Sequence, residues 1–139
     1  IVIRLEAISI FLSIQSKKRE VVAFLDELQI LLGKEDFDIN LIRKKKQGED
    51  WKYSTPYTLL DLDYDTEDVV NRLKELTVEE YSETKIDKDD LNPPLLFVFG
   101  KDINSKLVYV KLKIKGDQQK YVLCVSFHYA KDKMSFPYA

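Results

Sequence analysis

The chain has 139 residues, 45% hydrophobic and 33% charged, with a formal net charge of −2, a globular balance that excludes wholesale disorder and fits one domain. Cys124 is the only cysteine, so neither an internal disulfide nor a cysteine-based zinc site can be built from this sequence alone, and a reducing cytoplasm is the expected setting. Charge is unevenly spread: residues 60–92 carry twelve Asp and Glu against four Lys and Arg, whereas residues 101–139 carry eight Lys against three Asp, so the C-terminal part is the one suited to phosphate.

The apolar run Ile1–Ile14 contains Arg4 and Glu6 and is shorter than the roughly 18–20 residues of a membrane helix. It has no basic region ahead of it and no small-residue cleavage site, so neither a membrane span nor a secretory signal is expected. Residues 1–15 read as an apolar extension and residues 16–139 as a single domain. The Ile and Leu side chains of the extension are expected to dock on that domain or on a second copy of the chain, forming a homodimer. Ser16 is a candidate cap for a helix with apolar residues at Val21, Phe24, Leu25, Leu28, Leu31 and Leu32, ended by Gly33. Phe37–Ile42 alternates as a strand does, and Arg43–Asp50 is a charged turn whose four basic residues offer an alternative grip on phosphate. Trp51–Pro56 has no clear signal. Thr66–Leu76 reads as a second helix with an acidic entry, and Thr77-Val78-Glu79-Glu80 as a capping box opening a short helical turn. The polar stretch Thr84–Asn92, closed by Pro93-Pro94, reads as a surface loop.

Three strands are expected after it: Leu95–Gly100, Leu107–Lys115 and Lys120–His128. The Gly116-containing reversal makes the last two a hairpin. Helices first and strands last predict an α+β fold, with helices packed on a mainly antiparallel C-terminal sheet. In the middle strand Val108, Val110, Leu112 and Ile114 share one face, and Tyr109, Lys111, Lys113 and Lys115 the other. The last strand ends in His128, the only histidine, at a position where a side chain is often half buried.

The residue types exclude several chemistries. The four glycines form no phosphate-cradling loop, a single histidine without a cysteine cluster removes most zinc sites, and Asp61, Asp63 and Asp65 lack the glycine and distal glutamate of a calcium loop. No cofactor and no metal are expected. Cleavage of RNA without metal needs a base for the 2′-hydroxyl, an acid for the 5′-oxygen and positive charge near the phosphate. His128 titrates near neutrality and can be base or acid, Tyr109 can donate a hydrogen bond or stack, and Lys101, Lys111 and Lys113 can neutralise phosphate.

The segments Phe97-Val98-Phe99-Gly100-Lys101, Val108-Tyr109-Val110-Lys111-Leu112-Lys113 and Cys124-Val125-Ser126-Phe127-His128, with Met134 and Pro137 after them, resemble the MqsR-type toxins of bacterial type II toxin–antitoxin systems. Asp61-Leu62-Asp63 and the segment from Lys74 to Ser82 extend the resemblance to roughly residues 20–138. It implies a RelE-like fold, metal-independent endoribonuclease activity on mRNA, and a cognate protein antitoxin as inhibitor. Tyr109 and Lys111 fall on matching family positions, and the tyrosine is among those the family implies in catalysis. After Ser126-Phe127 the best-known members carry a catalytic lysine where this chain has His128, and Ser82 stands where another lysine is expected. The expected site is therefore His128, Tyr109 and Lys111 as catalytic residues, with Lys101 and Lys113 binding RNA. The alternative is a catalytically silent module that holds RNA or a protein on the same basic sheet.

Overall fold

Apolar side chains recur at helical spacing from Val21 onward, and the first helix of the computed structural model, α1 (Lys18–Leu32), buries Val21, Leu25, Leu28, Leu31 and Leu32 along one face. Each such side chain contributes roughly 1.5–3 kcal/mol on leaving water. The structure describes residues 13–139, so the expectations for residues 1–12 lie outside the described residues. Ser13–Ile14 form β1, a short strand antiparallel to β3 (Tyr81–Ile86). The N-cap of α1 is Lys17, whose N–H donates to the Glu20 carboxylate at 2.8 Å, and not Ser16. Ser16 is instead buried: its N–H donates to the Tyr81 hydroxyl at 2.8 Å and its hydroxyl meets that of Thr84 at 2.7 Å.

The expected strand at Phe37–Ile42 is shorter in the fold, where β2 spans Ile39–Leu41. A helix that the sequence did not predict follows, α2 (Thr55–Leu62), capped by the Ser54 hydroxyl and carrying Pro56 in its first turn. Helix α3 (Thr66–Lys74) is capped by a reciprocal pair, Asp65 and Asp68, each carboxylate accepting from the other's N–H at 2.9 Å. The Thr77–Glu80 box opens one 3-10 turn, Val78–Glu80, as its spacing predicts.

Tyr81–Ile86, read in part as loop, is an interior strand of the sheet. It pairs β1 on one side and β4 (Leu95–Ile103) on the other. Its polarity hid it, because Thr84 is buried through hydrogen bonds to Tyr81 and Ser16 and not through apolar packing. Strands β5 (Lys106–Lys115) and β6 (Tyr121–Tyr129) form the expected hairpin. The sheet order is β1-β3-β4-β5-β6-β2, with β2 running parallel to β6 and the other four pairings antiparallel. The result is an α+β fold with three helices against a mixed six-stranded sheet.

All three helices cover one face. Val108, Val110, Leu112 and Phe127 pack there against α1, α2 and α3, and Phe24 of α1 stacks on Phe97 with ring centroids 4.1 Å apart. Beyond the end of β2 the edge of β6 is closed by α2, whose buried Thr55 and Thr58 hydroxyls accept from the N–H groups of Phe127 and Tyr129 at 3.1 and 2.9 Å. Those two bonds fix the segment of β6 that carries His128. Among the described residues no helix is long and apolar enough to cross a membrane.

Candidate active site

The second face of the sheet is covered by loops and the C-terminal tail, and between them lies an open cleft of about 570 Å³. Its floor is a pair of neighbouring strands. In β5 the period-two alternation holds, so Tyr109 and Lys111 point away from the helices. In β6 it does not: Lys111 pairs with Ser126 but Leu112 pairs with Cys124, leaving Val125 as an extra, bulged residue. Val122 and Cys124 face the helices before the bulge, Phe127 after it. Ser126 and His128 are thereby turned onto the same face as Tyr109 and Lys111, a re-aiming that bulges commonly perform beside active sites.

The consequence is a stack. His128 pairs with Tyr109 across the strands, and their rings lie 5.1 Å apart and 12° from parallel. The histidine Nδ1 is 2.9 Å from the Tyr129 carbonyl oxygen, which can only accept, so Nδ1 carries the hydrogen and the neutral ring keeps its lone pair on Nε2. The Glu49 carboxylate sits 4.0 Å from that Nε2. Burial pulls the His128 pKa below its ordinary value, against the Tyr129 carbonyl and Glu49, which favour the charged ring. Near neutrality His128 is an uncharged base with its free nitrogen on the cleft side. Burial likewise pushes the Tyr109 phenol up, while Lys85 beside it acts in the opposite sense.

Lys111 is the third member. Burial, followed by the nearby charges of Lys46 and Lys85, lowers its pKa to about 8. Among the described residues its ammonium forms no ion pair. A half-buried cation beside two others, opposed by the Asp87 charge, is a costly arrangement that an incoming anion would relieve. Because the folded pKa lies below the ordinary 10.5, the penalty is fully present below about pH 8 and fades as pH rises towards 10.5. Replacing Lys111 with Met is accordingly expected to stabilise the fold at neutral pH by on the order of 1–3 kcal/mol while weakening anion binding. Urea denaturation of both proteins checks the first part; a destabilised Lys111→Met would mean that the ammonium is satisfied in the native state.

The walls come from segments with no catalytic signal in the sequence. Lys46 donates to the Ser126 hydroxyl at 2.8 Å and is held by a turn in which the Glu49 N–H donates to the Lys46 carbonyl at 3.1 Å. Gly48 occupies the turn position that needs a positive φ, here 80°. The opposite wall is β3, which presents Glu83 and Lys85. The C-terminal tail closes one end, seated by Gly100, where a Cβ would lie 2.7 Å from the Phe136 ring. A second hollow of about 520 Å³ shares Lys46, Lys85 and Lys111 with the cleft and continues it along the sheet.

Of the five expected site residues, the fold brings together Tyr109, Lys111 and His128. Lys101 lies on the helix-covered face, paired with Glu80 at 3.2 Å and Glu75 at 3.8 Å. Lys113 has the expected parity but is 1% exposed under the 87–94 loop, bonded to Asp87 at 2.7 Å, Asp90 at 3.4 Å and the Pro93 carbonyl at 2.9 Å. Both expected RNA-binding lysines thus lie off the cleft with their charges paired, and the lysines that line it beside Lys111 include Lys46 and Lys85, the latter 3.3 Å from the Glu83 carboxylate. Lys46 was legible as part of the basic run at Arg43, but Lys85 stood in a stretch read as loop. Cys124 is buried, with a thiol pushed up to about 12 chiefly by desolvation, and is inert. Among the described residues no three His, Cys, Asp or Glu side chains are grouped as metal ligands are.

Fold and site together define an α+β protein with an aromatic-stacked histidine and a cluster of lysines in an open cleft. Comparison of the chain with protein-family models, with curated proteins and with solved structures gave no match.

Proposed function

We propose that the protein is a metal-independent endoribonuclease acting on mRNA, a toxin of the MqsR type with a RelE-like fold, held inactive by a protein antitoxin. The observation that carries the reading is the convergence of Tyr109, Lys111 and His128 on one cleft, with the histidine Nδ1 engaged by the Tyr129 carbonyl so that Nε2 is the nitrogen left for a substrate. His128 Nε2 takes the proton of a 2′-hydroxyl, whose oxygen attacks the adjacent phosphorus. The bond from phosphorus to the 5′-oxygen breaks, and the Lys111 ammonium gives that oxygen its proton. The products are a 2′,3′-cyclic phosphate and a 5′-hydroxyl. Lys46 and Lys85 lie where they can neutralise the phosphate, and Tyr109 holds the imidazole plane by stacking. Histidine in place of the family's lysine suits this chemistry, since its lowered pKa keeps it a base at neutral pH.

Two ionisations with opposite requirements predict a bell-shaped pH profile. Activity rises as His128 loses its proton, at a pH below its ordinary 6.5, and falls as Lys111 loses its own near pH 8. The experiment is incubation of the purified protein with RNA in the presence of a chelator, across pH, with the product ends mapped. Cyclic phosphate ends and a maximum between the two limits support the reading. A folded protein that binds RNA and leaves it intact at every pH is the silent module instead. Co-expression with the adjacent gene tests the antitoxin: growth arrest relieved by that neighbour is the expected result.

A further inference from the structure

We infer that the hollow beside the cleft, walled by Tyr53, Tyr57 and Tyr129 and edged by Lys52 and Lys106, is a subsite for single-stranded RNA, where bases flanking the cleaved bond stack and their phosphates meet lysine. The inference rests on the reading of the cleft as an RNA-cleaving site, which it extends.

The hollow holds about 500 Å³, within the range of small-ligand sites. It is continuous with the cleft, because Tyr53 and the segment 130–133 line both. A strand leaving the reacting phosphate crosses that ridge past Lys131 and Lys133 without leaving positive charge. The rings form a series: Trp51 meets Tyr57 edge-on at 5.9 Å, and Tyr57 meets Tyr129 edge-on at 6.3 Å. Trp51 is 48% exposed although it is the largest apolar side chain available to the core, and it adjoins the hollow through its contact with Tyr57. Acidic groups that would repel phosphate are occupied. Asp61, outside the lining, accepts from the Tyr129 hydroxyl at 2.6 Å and shares Lys106 at 3.5 Å, which also lies 4.7 Å over the Tyr129 ring; on the lining Asp132 is the one carboxylate against Lys106 and the three further lysines Lys52, Lys131 and Lys133. An acidic protein segment would use the lysines and leave the rings idle. Successive bases use both, since base stacking on aromatic side chains beside a cationic track is how single strands are held without sequence readout.

Trp51 is the only tryptophan and meets Tyr57, a ring of the hollow, so its emission reports a base entering beside it. The probe is a short DNA oligonucleotide, which lacks the 2′-hydroxyl and cannot be cut by this route. It is expected to quench Trp51 in the parent protein. Its affinity, followed by anisotropy, is expected to fall about tenfold in Trp51→Ala and in the double variant Lys52→Ala/Lys106→Ala. Cleavage of a dinucleotide, too short to reach the hollow, is expected to stay at the parental rate in both. The lysine pair is on the surface, Lys106 being 58% exposed, so the double variant tests the idea even if Trp51→Ala fails to fold. Parental affinity in the double variant overturns the subsite while leaving cleavage in the cleft untouched. Quenching by an acidic peptide but not by the oligonucleotide overturns it in favour of a protein partner. Oligonucleotide binding through these residues by a protein that cuts no RNA upholds the single-strand surface and removes only the cleavage reading.

Discussion

His128→Ala is expected to lower RNA cleavage by about 10²–10⁴-fold, the usual contribution of one positioned acid or base, equivalent to about 3–5 kcal/mol of transition-state stabilisation. The effect on folding is expected to be smaller. The side chain is 15% exposed, and truncation removes the stack on Tyr109, about 0.5–1.5 kcal/mol, and one hydrogen bond to the Tyr129 carbonyl. It does not touch Phe127, whose side chain is on the other face, or the Thr55 and Thr58 bonds that hold the β6 backbone. Tyr109→Phe separates the two roles of the tyrosine: it keeps the stacking plane and removes the hydroxyl. A small loss in Tyr109→Phe beside a large one in His128→Ala means that the tyrosine orients the imidazole. Comparable losses mean that the phenol moves a proton. Cleavage rate and melting temperature measured on each variant decide the matter, and a His128→Ala protein that cuts RNA like its parent would falsify the acid–base assignment.

Lys113→Ala is expected to cost about 3–5 kcal/mol of stability, because it removes one partner of a buried ion pair and leaves the Asp87 carboxylate without its cation. The Lys113 ammonium is enclosed by Asp87, Asp90 and the Pro93 carbonyl, and Lys115 also donates to Asp90. The 87–94 loop has no apolar anchor of comparable burial, so the lysine is what draws it onto the sheet. The same cluster predicts acid sensitivity. Bonding to Lys115, with the backbone N–H of Asn92, lowers the Asp90 pKa to about 2; for Asp87 burial pushes the carboxyl up, but the Lys113 ammonium and the N–H groups of Asp89 and Asp90 together hold it below its ordinary value. With folded values below the ordinary 3.8, the contribution is complete above that pH and is lost as pH falls towards about 2. Urea denaturation at neutral and acid pH is the measurement. The expected pattern is a large loss in Lys113→Ala at neutral pH that shrinks in acid, and a loss independent of pH would place the effect in packing alone.

Local patterns carried much of the fold into the sequence. The stripe from Val21 to Leu32, the Thr77–Glu80 box and the alternation of Val108 to Ile114 each depend on neighbours within one or two turns or pleats, and each survives in the structure. The α+β class followed from them. Helix α2 and strand β3 escaped because their polar residues are satisfied by distant partners: Thr55 and Thr58 by the β6 backbone, and Thr84 by Ser16 together with the nearby Tyr81. The site divided in the same way. Tyr109 and Lys111 share a face by period two alone. His128 joins them only because the bulge at Val125 reverses the phase of β6, and read by strict alternation it would share a face with Cys124, in the core. Lys101 and Lys113 are lysines like any other in the sequence. What separates them from Lys46 and Lys85 is where the tertiary fold puts them: Lys101 and Lys113 are paired and largely enclosed away from the cleft, whereas Lys46 and Lys85 line it, Lys85 staying 40% exposed beside Glu83, and that is a property of packing between segments and not of any local pattern.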